Sequence, residues 1–252
     1  MVSSPEIIVG NFLYKNCFPV YNIIYPLFKK RQDKFEIELL RQYIQQGDVV
    51  LDIGANIGFY ANILSQLVGS TGKVHCFEPD SLNFAHLKNN TLHFNNITIN
   101  NKAVGSKTEM LKIYTSKNLN VDHRTYKPDV YDKEIEIQAI SIDEYLANNK
   151  RVDFVKMDIQ GYEMQAIRGM ERTLTHNKEI KLLSEFWPYG LKKAGSSLSQ
   201  YYTFLKDLGF DVLLLEKSRC RNITLEKVKQ MEDLGEEHYF NIFAERGNGQ
   251  GV

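Results

Sequence analysis

Two carboxylates near the ends of β-rich runs could do chemistry in this chain: Asp158 in "VDFVKMDI" and Glu185 in "IKLLSEFW". Reactive groups in an open parallel sheet gather beyond the strand C-termini, so adjacent strands would bring these two acids together. Three roles are open to them. Asp158 could deprotonate or align an acceptor hydroxyl, with Glu185 as its partner. The pair could instead hold a divalent cation such as magnesium that lowers the acceptor's pKa. Or both could simply cap helices. Two carboxylates are a sparse ligand set and the sequence fixes no third, so a cation is possible but no metal site is assigned. Lys156 lies in the same run, pointing to the opposite face from Met157. A lysine in a buried strand needs a partner, and Glu163 or Glu185 is the expected one. Glu163 also opens a helix, where an acid suits the positive dipole end. A further base is available in "NVDHRTY": His123, beside Asp122 and Arg124, with Arg124 able to hold an anionic acceptor. A solvated loop explains those residues equally well.

The elements that must position these groups alternate along the chain. A helical pattern runs from Asp33 to Gln46, and strands follow at 49–53, 74–77 and "ITINNKAV", with helices from Phe59 and Ser81 between them. "EMLKIYTS" and "EIEIQAISI" alternate as strands around a polar stretch. Then come strands over "VDFVKMDI", "IKLLSEFW" and "FDVLLLE", with helices at about 163–174 and 198–208 between them. A short helix at 225–234 precedes a last strand, "YFNIFAE", too close behind for a standard crossover and so read as antiparallel. This predicts an α/β fold with a mostly parallel sheet covered on both faces. Residues 1–31 are aromatic and punctuated by Pro5, Pro19 and Pro26. They read as an irregular stretch within a helical N-terminal extension over 1–46. The main domain spans 47–246, and 247–252 read as a disordered tail.

The first strand–loop–helix unit, "VVLDIGANIGFYANILSQ", implies a ligand at the strand end. A dinucleotide cradle needs glycines at the first, third and sixth loop positions. Here Gly54 fits the first, but Asn56 and Phe59 occupy the others. Gly54 and Gly58 would still let backbone approach a ligand closely. Asp52 would repel phosphate and attract a cation. A nucleoside with a positively charged amino-acid tail, such as S-adenosylmethionine, suits these residues. Glu78 ends the second strand and can accept both ribose hydroxyls. Asn101 could reach the adenine, and Ala103 is small enough to let the base pack.

"VLDIGANIGFY", "FEPD", "NKAV" and "VDFVKMDIQGYEMQAIRGM" together resemble the FkbM-type S-adenosylmethionine-dependent methyltransferases over about residues 35–245. The resemblance implies the class I Rossmann-like methyltransferase fold, a seven-stranded sheet with an antiparallel last strand. It implies that Ala55, Pro79 and Asp158, within the matching motifs, join the cofactor site. It also implies O-methylation of a sugar, glycan or other small-molecule hydroxyl. One departure stands out: the family commonly has an acid before the glycine of "DIQGYE", where this chain has Gln160. Glutamine keeps the size and the hydrogen bonding without the charge.

Composition narrows the alternatives. The chain has 252 residues, with 31 Lys+Arg against 31 Asp+Glu. Zero net charge argues against an RNA partner, although an RNA or protein methyltransferase is an alternative reading. So is a non-catalytic cofactor-binding protein, which the lost acid at Gln160 would favour. A nicotinamide oxidoreductase is disfavoured by the failed glycine pattern. Cys17, Cys76 and Cys220 are dispersed and form no zinc motif. "FPVYNIIYPLF" is short and proline-broken, so neither a leader nor a membrane span is expected. That points to the cytoplasm, with no membrane partner. Tyr14, Tyr21 and Tyr25 are expected to pack the extension onto the core, with a lid over the acceptor as the alternative.

Overall fold

A computed structural model describes residues 5–115, 124–128, 131–147, 150–216 and 218–246. Asp122, His123 and the tail at 247–252 lie outside the described residues. The N-terminal extension is helical as expected, and its helices also cover the stretch that its prolines had marked as irregular. It forms α1 (Pro5–Asn16), α2 (Phe18–Gln32) and α3 (Lys34–Tyr43). Pro5 and Pro19 sit in first turns, where no intrahelical N–H is needed. Pro26 lies inside α2, beside Tyr25, whose ring stacks on that of Tyr21.

The core is an α/β sandwich. Strands β1 (Val49–Ile53), β2 (Lys73–Phe77) and β3 (Ile97–Asn100) alternate with α4 (Phe59–Val68) and α5 (Ser81–Thr91). A smaller sheet follows, of β4 (Ala103–Val104), β5 (Glu109–Tyr114) and β6 (Glu134–Ile140), then the short α6 (Ile142–Tyr145). The second half of the main sheet comprises β7 (Phe154–Met157), β8 (Lys181–Phe186), β9 (Phe210–Glu216), β10 (Arg219–Asn222) and β11 (Phe240–Arg246). Its helices are α7 (Glu163–Arg168), α8 (Glu171–His176), α9 (Pro188–Lys193), α10 (Leu198–Asp207) and α11 (Leu225–Met231). The order is β10-β9-β11-β8-β7-β1-β2-β3. The seven strands from β9 to β3 are the expected sheet, with β11 antiparallel to both neighbours. β10 adds an eighth strand by folding back on β9.

Period-2 alternation sends residues of one strand to opposite faces. Val50, Cys76, Phe154, Leu183 and Phe243 pack with helices α3–α5 on one side. Leu51, Ile53, Phe77, Val155 and Met157 pack with α7, α8, α10 and α11 on the other. The run "ITINNKAV" is two strands in two sheets, because the Asn101 amide donates to the carbonyls of Glu78 and Pro79 and turns the chain. The expected helix at 163–174 is likewise two helices. The Asp143 carboxylate accepts the backbone N–H groups of Arg172 and Thr173 and so starts α8 afresh.

Candidate active site

The loop after β1 is closed upon itself. The N–H groups of Gly54 and Ala55 both donate to the Phe77 carbonyl, and that of Gly58 to the Ala55 carbonyl. Asn56 N–H donates to Glu78 Oε2 at 2.8 Å, and Ile57 N–H to Asn56 Oδ1 at 2.7 Å. These five donors already have acceptors, so the loop holds none in reserve for a pyrophosphate. The two glycines serve packing as well as any ligand. A Cβ on Gly54, where φ is +82°, would lie 2.0 Å from the Asp158 carbonyl oxygen. One on Gly58 (φ +94°) would lie 3.0 Å from Leu87 Cδ1 on α5. The glycine spacing therefore joins β1 to the end of β7 and α4 to α5.

Glu78, expected at the ribose, is buried at the end of β2. Its Oε1 accepts the Asp80 N–H at 2.9 Å, and its Oε2 holds Asn56. Burial pushes its carboxyl up to about 8, against the pull of those two N–H groups. Asp80 in turn caps α5 by accepting from Leu82 and Asn83.

The second half of the site centres on Asp158. Register pairs Asp52 with Lys156, and Met157 with Ser184, so Asp158 stands beside Glu185 at the next position. The partner of Lys156 is neither Glu163 nor Glu185, as the sequence suggested. Its Nζ lies 3.9 Å from both Asp52 Oδ1 and Asp158 Oδ2, and 4.7 Å from the centre of the Tyr60 ring. The reason is the register, which puts Asp52 laterally beside Lys156 on one sheet face. Asp52 is fully buried, and neither of its oxygens accepts a hydrogen bond among the described residues. Burial raises its carboxyl to about 6, with Lys156 opposing the rise. Asp158 is the accessible acid, with its side chain 41% exposed.

The turn after Asp158 explains the rest of "DIQGYE". Gln160 adopts φ +57° and its amide donates to Asp158 Oδ1 at 3.0 Å. Glu163 Oε1 accepts the N–H groups of Ile159 and Gly161. Its burial raises that carboxyl to about 7. Glu163 thus serves the turn, and Gln160 orients the acid two residues before it. The N-terminal extension closes on this corner. Tyr60 donates to Asp33 Oδ2, and Lys29 pairs with the same oxygen, each at 2.7 Å. Tyr14 donates to Asn83, and Tyr14 and Tyr21 pack on Ile57 of the loop.

An open cleft with a cavity volume of about 70 Å³ runs between these two halves. Of the expected cofactor residues, Gly54, Asn56, Glu78, Pro79, Ala103 and Asp158 line it. Ala55, Gly58 and Phe59 stand behind the loop, with Asn101 bracing β2 from outside. Asp52 is fully buried beside this wall and does not line it. Lys156 and Glu185 are buried and do not line the cleft. Arg124 is committed elsewhere: its Nη2 donates to Glu236 at 2.7 Å, and its guanidinium lies over the Trp187 ring. Sequence reasoning missed Ile113 and Ile137 of the small sheet, Thr125 and Tyr162, which complete the wall. The signal for Ile113 and Ile137 was the alternation at 109–114 and 134–140, read as strands but given no place over the site.

The donor set fits S-adenosylmethionine: Glu78 keeps lone pairs for ribose hydroxyls, and Pro79, Ala103 and Ile137 offer an apolar slot for a base. When bound, that cofactor supplies an electrophilic methyl group. Among the described residues no cluster of three or more His, Cys, Asp or Glu side chains could hold a metal ion. At Asp158 the neighbouring cation is the Lys156 ammonium.

Comparison with known proteins agrees. The methyltransferase FkbM domain matches residues 52–212. The hexuronic acid methyltransferase AglP of Haloferax volcanii is 27% identical over 154 residues, which span 57% of this chain and 59% of that protein. SMU.1697c of Streptococcus mutans, solved with S-adenosylhomocysteine, superposes with a TM-score of 0.50 at 13% identity, over 85% of this chain and 97% of that one. Methyltransferase FkbM from Methylobacillus flagellatus gives 0.49 at 18% identity, over 83% of this chain and 50% of that one. With a Rossmann-like fold and a family match over most of its length, the chain belongs to the FkbM family of S-adenosylmethionine-dependent methyltransferases.

Proposed function

We propose that this protein transfers the methyl group of S-adenosylmethionine to a hydroxyl of a sugar, a glycan or a similar small molecule. Asp158 is the residue that aligns or deprotonates the acceptor. The observation that carries this reading is the accessible Asp158 carboxylate on the cleft wall, steered by the Gln160 amide and faced by the Lys156 ammonium. A carboxylate held in one orientation can accept the acceptor's proton as the oxygen attacks in line, and alignment supplies much of the rate. Gly54, Asn56, Glu78, Pro79 and Ala103 hold the cofactor, with Glu78 on the ribose. Glu185 supports Asp158 from the neighbouring strand. The hexuronic acid acceptor of the H. volcanii relative supports a sugar, and the absence of a net positive charge supports a non-nucleic-acid acceptor. The Gln160–Asp158 bond supports a catalytic over a merely cofactor-binding protein, because the missing acid is replaced by an orienting donor.

The test is Asp158→Asn, assayed with S-adenosylmethionine against a panel of hexoses, hexuronic acids and oligosaccharides. Turnover should fall by about 10²–10⁴-fold, the range for a positioned acid or base, while affinity for S-adenosylhomocysteine stays within a few-fold. Unchanged turnover in the variant would remove Asp158 from the chemistry.

A further inference from the structure

The same hairpin that closes on the site turns a different face outward. α1 and α2 direct Tyr14 and Tyr21 inward, where both are nearly buried against Ile57. Their opposite faces carry Ile8, Val9 and Phe12 on α1, and Val20, Ile23, Ile24, Leu27 and Phe28 on α2. Exposure across this set runs from 39% at Val20 to 69% at Ile23. At roughly 150–250 Å² for a whole large side chain, the eight leave on the order of 800 Å² of apolar surface. The largest patch on an ordinary monomer is about 300–600 Å². Other exposed large apolar residues are scattered over α5, β5, α11 and adjoining turns. Helical spacing makes the α2 set one stripe: positions 20, 23, 24, 27 and 28 share one side, opposite Phe18, Tyr21, Tyr25 and Lys29.

The charge on the first 32 residues is mostly positive. The first 32 residues carry Lys15, Lys29, Lys30 and Arg31 against the single acid Glu6, in a chain whose total charge is zero. Lys29 turns inward to Asp33. Lys30 and Arg31 are exposed at the end of the stripe, and neither has an ion-pair partner among the described residues. An apolar stripe edged by cations complements an anionic lipid surface. It suits a second copy of itself poorly, since that copy would bring the same cations. Among the described residues no helix is long and apolar enough to cross a membrane.

We propose that the outer face of the α1–α2 hairpin docks this protein on an anionic lipid bilayer, lying in the interface without spanning it. The expectation of no membrane partner rested on the lack of a spanning segment, and an interfacial helix needs none. The inner face of α2 packs against the loop beside the cofactor cleft. The docked bilayer would therefore stand about one helix diameter, roughly 10–12 Å, from that loop.

Co-sedimentation of the full chain with phosphatidylcholine vesicles, with and without phosphatidylglycerol, tests this. The wild type should bind only the anionic vesicles, and added salt should weaken binding. Neutralising two cations in Lys30→Gln/Arg31→Gln should weaken it roughly 25-fold, about five-fold per charge. Ile23→Asp/Leu27→Asp should abolish it, with helix content and S-adenosylhomocysteine affinity unchanged. Equal binding to neutral vesicles, or no binding to either kind, would overturn the proposal. So would a dimer in sedimentation velocity that Ile23→Asp/Leu27→Asp disperses, since the occupant would then be a second copy.

Discussion

Replacing Glu78 by glutamine separates what this carboxylate does for the protein from what it does for the cofactor. Each Glu78 oxygen already accepts one backbone N–H, from Asn56 at 2.8 Å and from Asp80 at 2.9 Å. A carboxylate offers about four lone-pair sites, so roughly one per oxygen remains, enough for the two ribose hydroxyls. Glutamine keeps the volume but turns one acceptor oxygen into an NH₂ group, which faces a backbone donor and cannot receive a hydroxyl. One hydrogen bond to a charged acceptor, worth about 1.5–3 kcal/mol, is lost and the other is weakened. Calorimetry with S-adenosylhomocysteine should then show about 30–150-fold weaker binding at pH 9, equivalent to about 2–3 kcal/mol.

The pH dependence supplies an internal control. Burial holds the Glu78 carboxyl near 8, well above its ordinary range. Ribose hydroxyls donate best to the ionised form. Wild-type affinity should therefore rise with pH from 6 to about 8, by up to about tenfold per unit, and level off above. The glutamine variant should lack this dependence. The stability effect has the opposite sign: with its pKa raised on folding, Glu78 withdraws stability as pH climbs from about 4.5 through about 8. A folded Glu78→Gln variant that binds within about threefold of wild type at pH 9 would refute the placement of the ribose.

Other substitutions probe the frame around the site. In urea unfolding, Gly54→Ala should cost about 2–5 kcal/mol, combining left-handed strain with a Cβ driven into the Asp158 carbonyl. Gly58→Ala should cost only about 1–2 kcal/mol, because the Leu87 methyl it meets can give way; the reverse order would contradict the packing role assigned to Gly54. Lys156→Met leaves Asp52 buried without its cation, so the carboxyl, already raised to about 6, should rise further. Since a raised acid loses stability as pH increases, the deficit should be small at pH 5 and grow to about 1–3 kcal/mol by pH 8. A deficit independent of pH would mean that the pair does not govern Asp52.

The sheet was legible because β-branched runs such as "VVLDI" and alternating runs such as "EIEIQAI" report their period directly. The antiparallel β11 was legible because α11 leaves too little chain for a crossover. The hairpin of α1 and α2 was obscured by its prolines, two of which occupy first-turn positions where they do no harm. The partner of Lys156 was hidden because it depends on the register between β1 and β7, which no local pattern encodes. The same holds for Ile113 and Ile137, read as strand residues but brought over the cleft only by the pairing of β4, β5 and β6. Asp52 was read from its place at a strand end, whereas its pairing with Lys156 across β1 and β7 depends on the register. The glycine spacing was informative about the family, although the contacts of Gly54 and Gly58 are with Asp158 and Leu87.

The measurement that bears most directly on the account is the fate of the methyl group. S-adenosylmethionine labelled with ¹³C in its methyl would be incubated with the protein and sugar acceptors, and the products followed by NMR. The account predicts a new methoxy carbon on a sugar hydroxyl, formed by the wild type and lost with Asp158→Asn. Label appearing on nitrogen, in RNA or in protein, or no transfer to any sugar by a protein that binds S-adenosylhomocysteine, would contradict it.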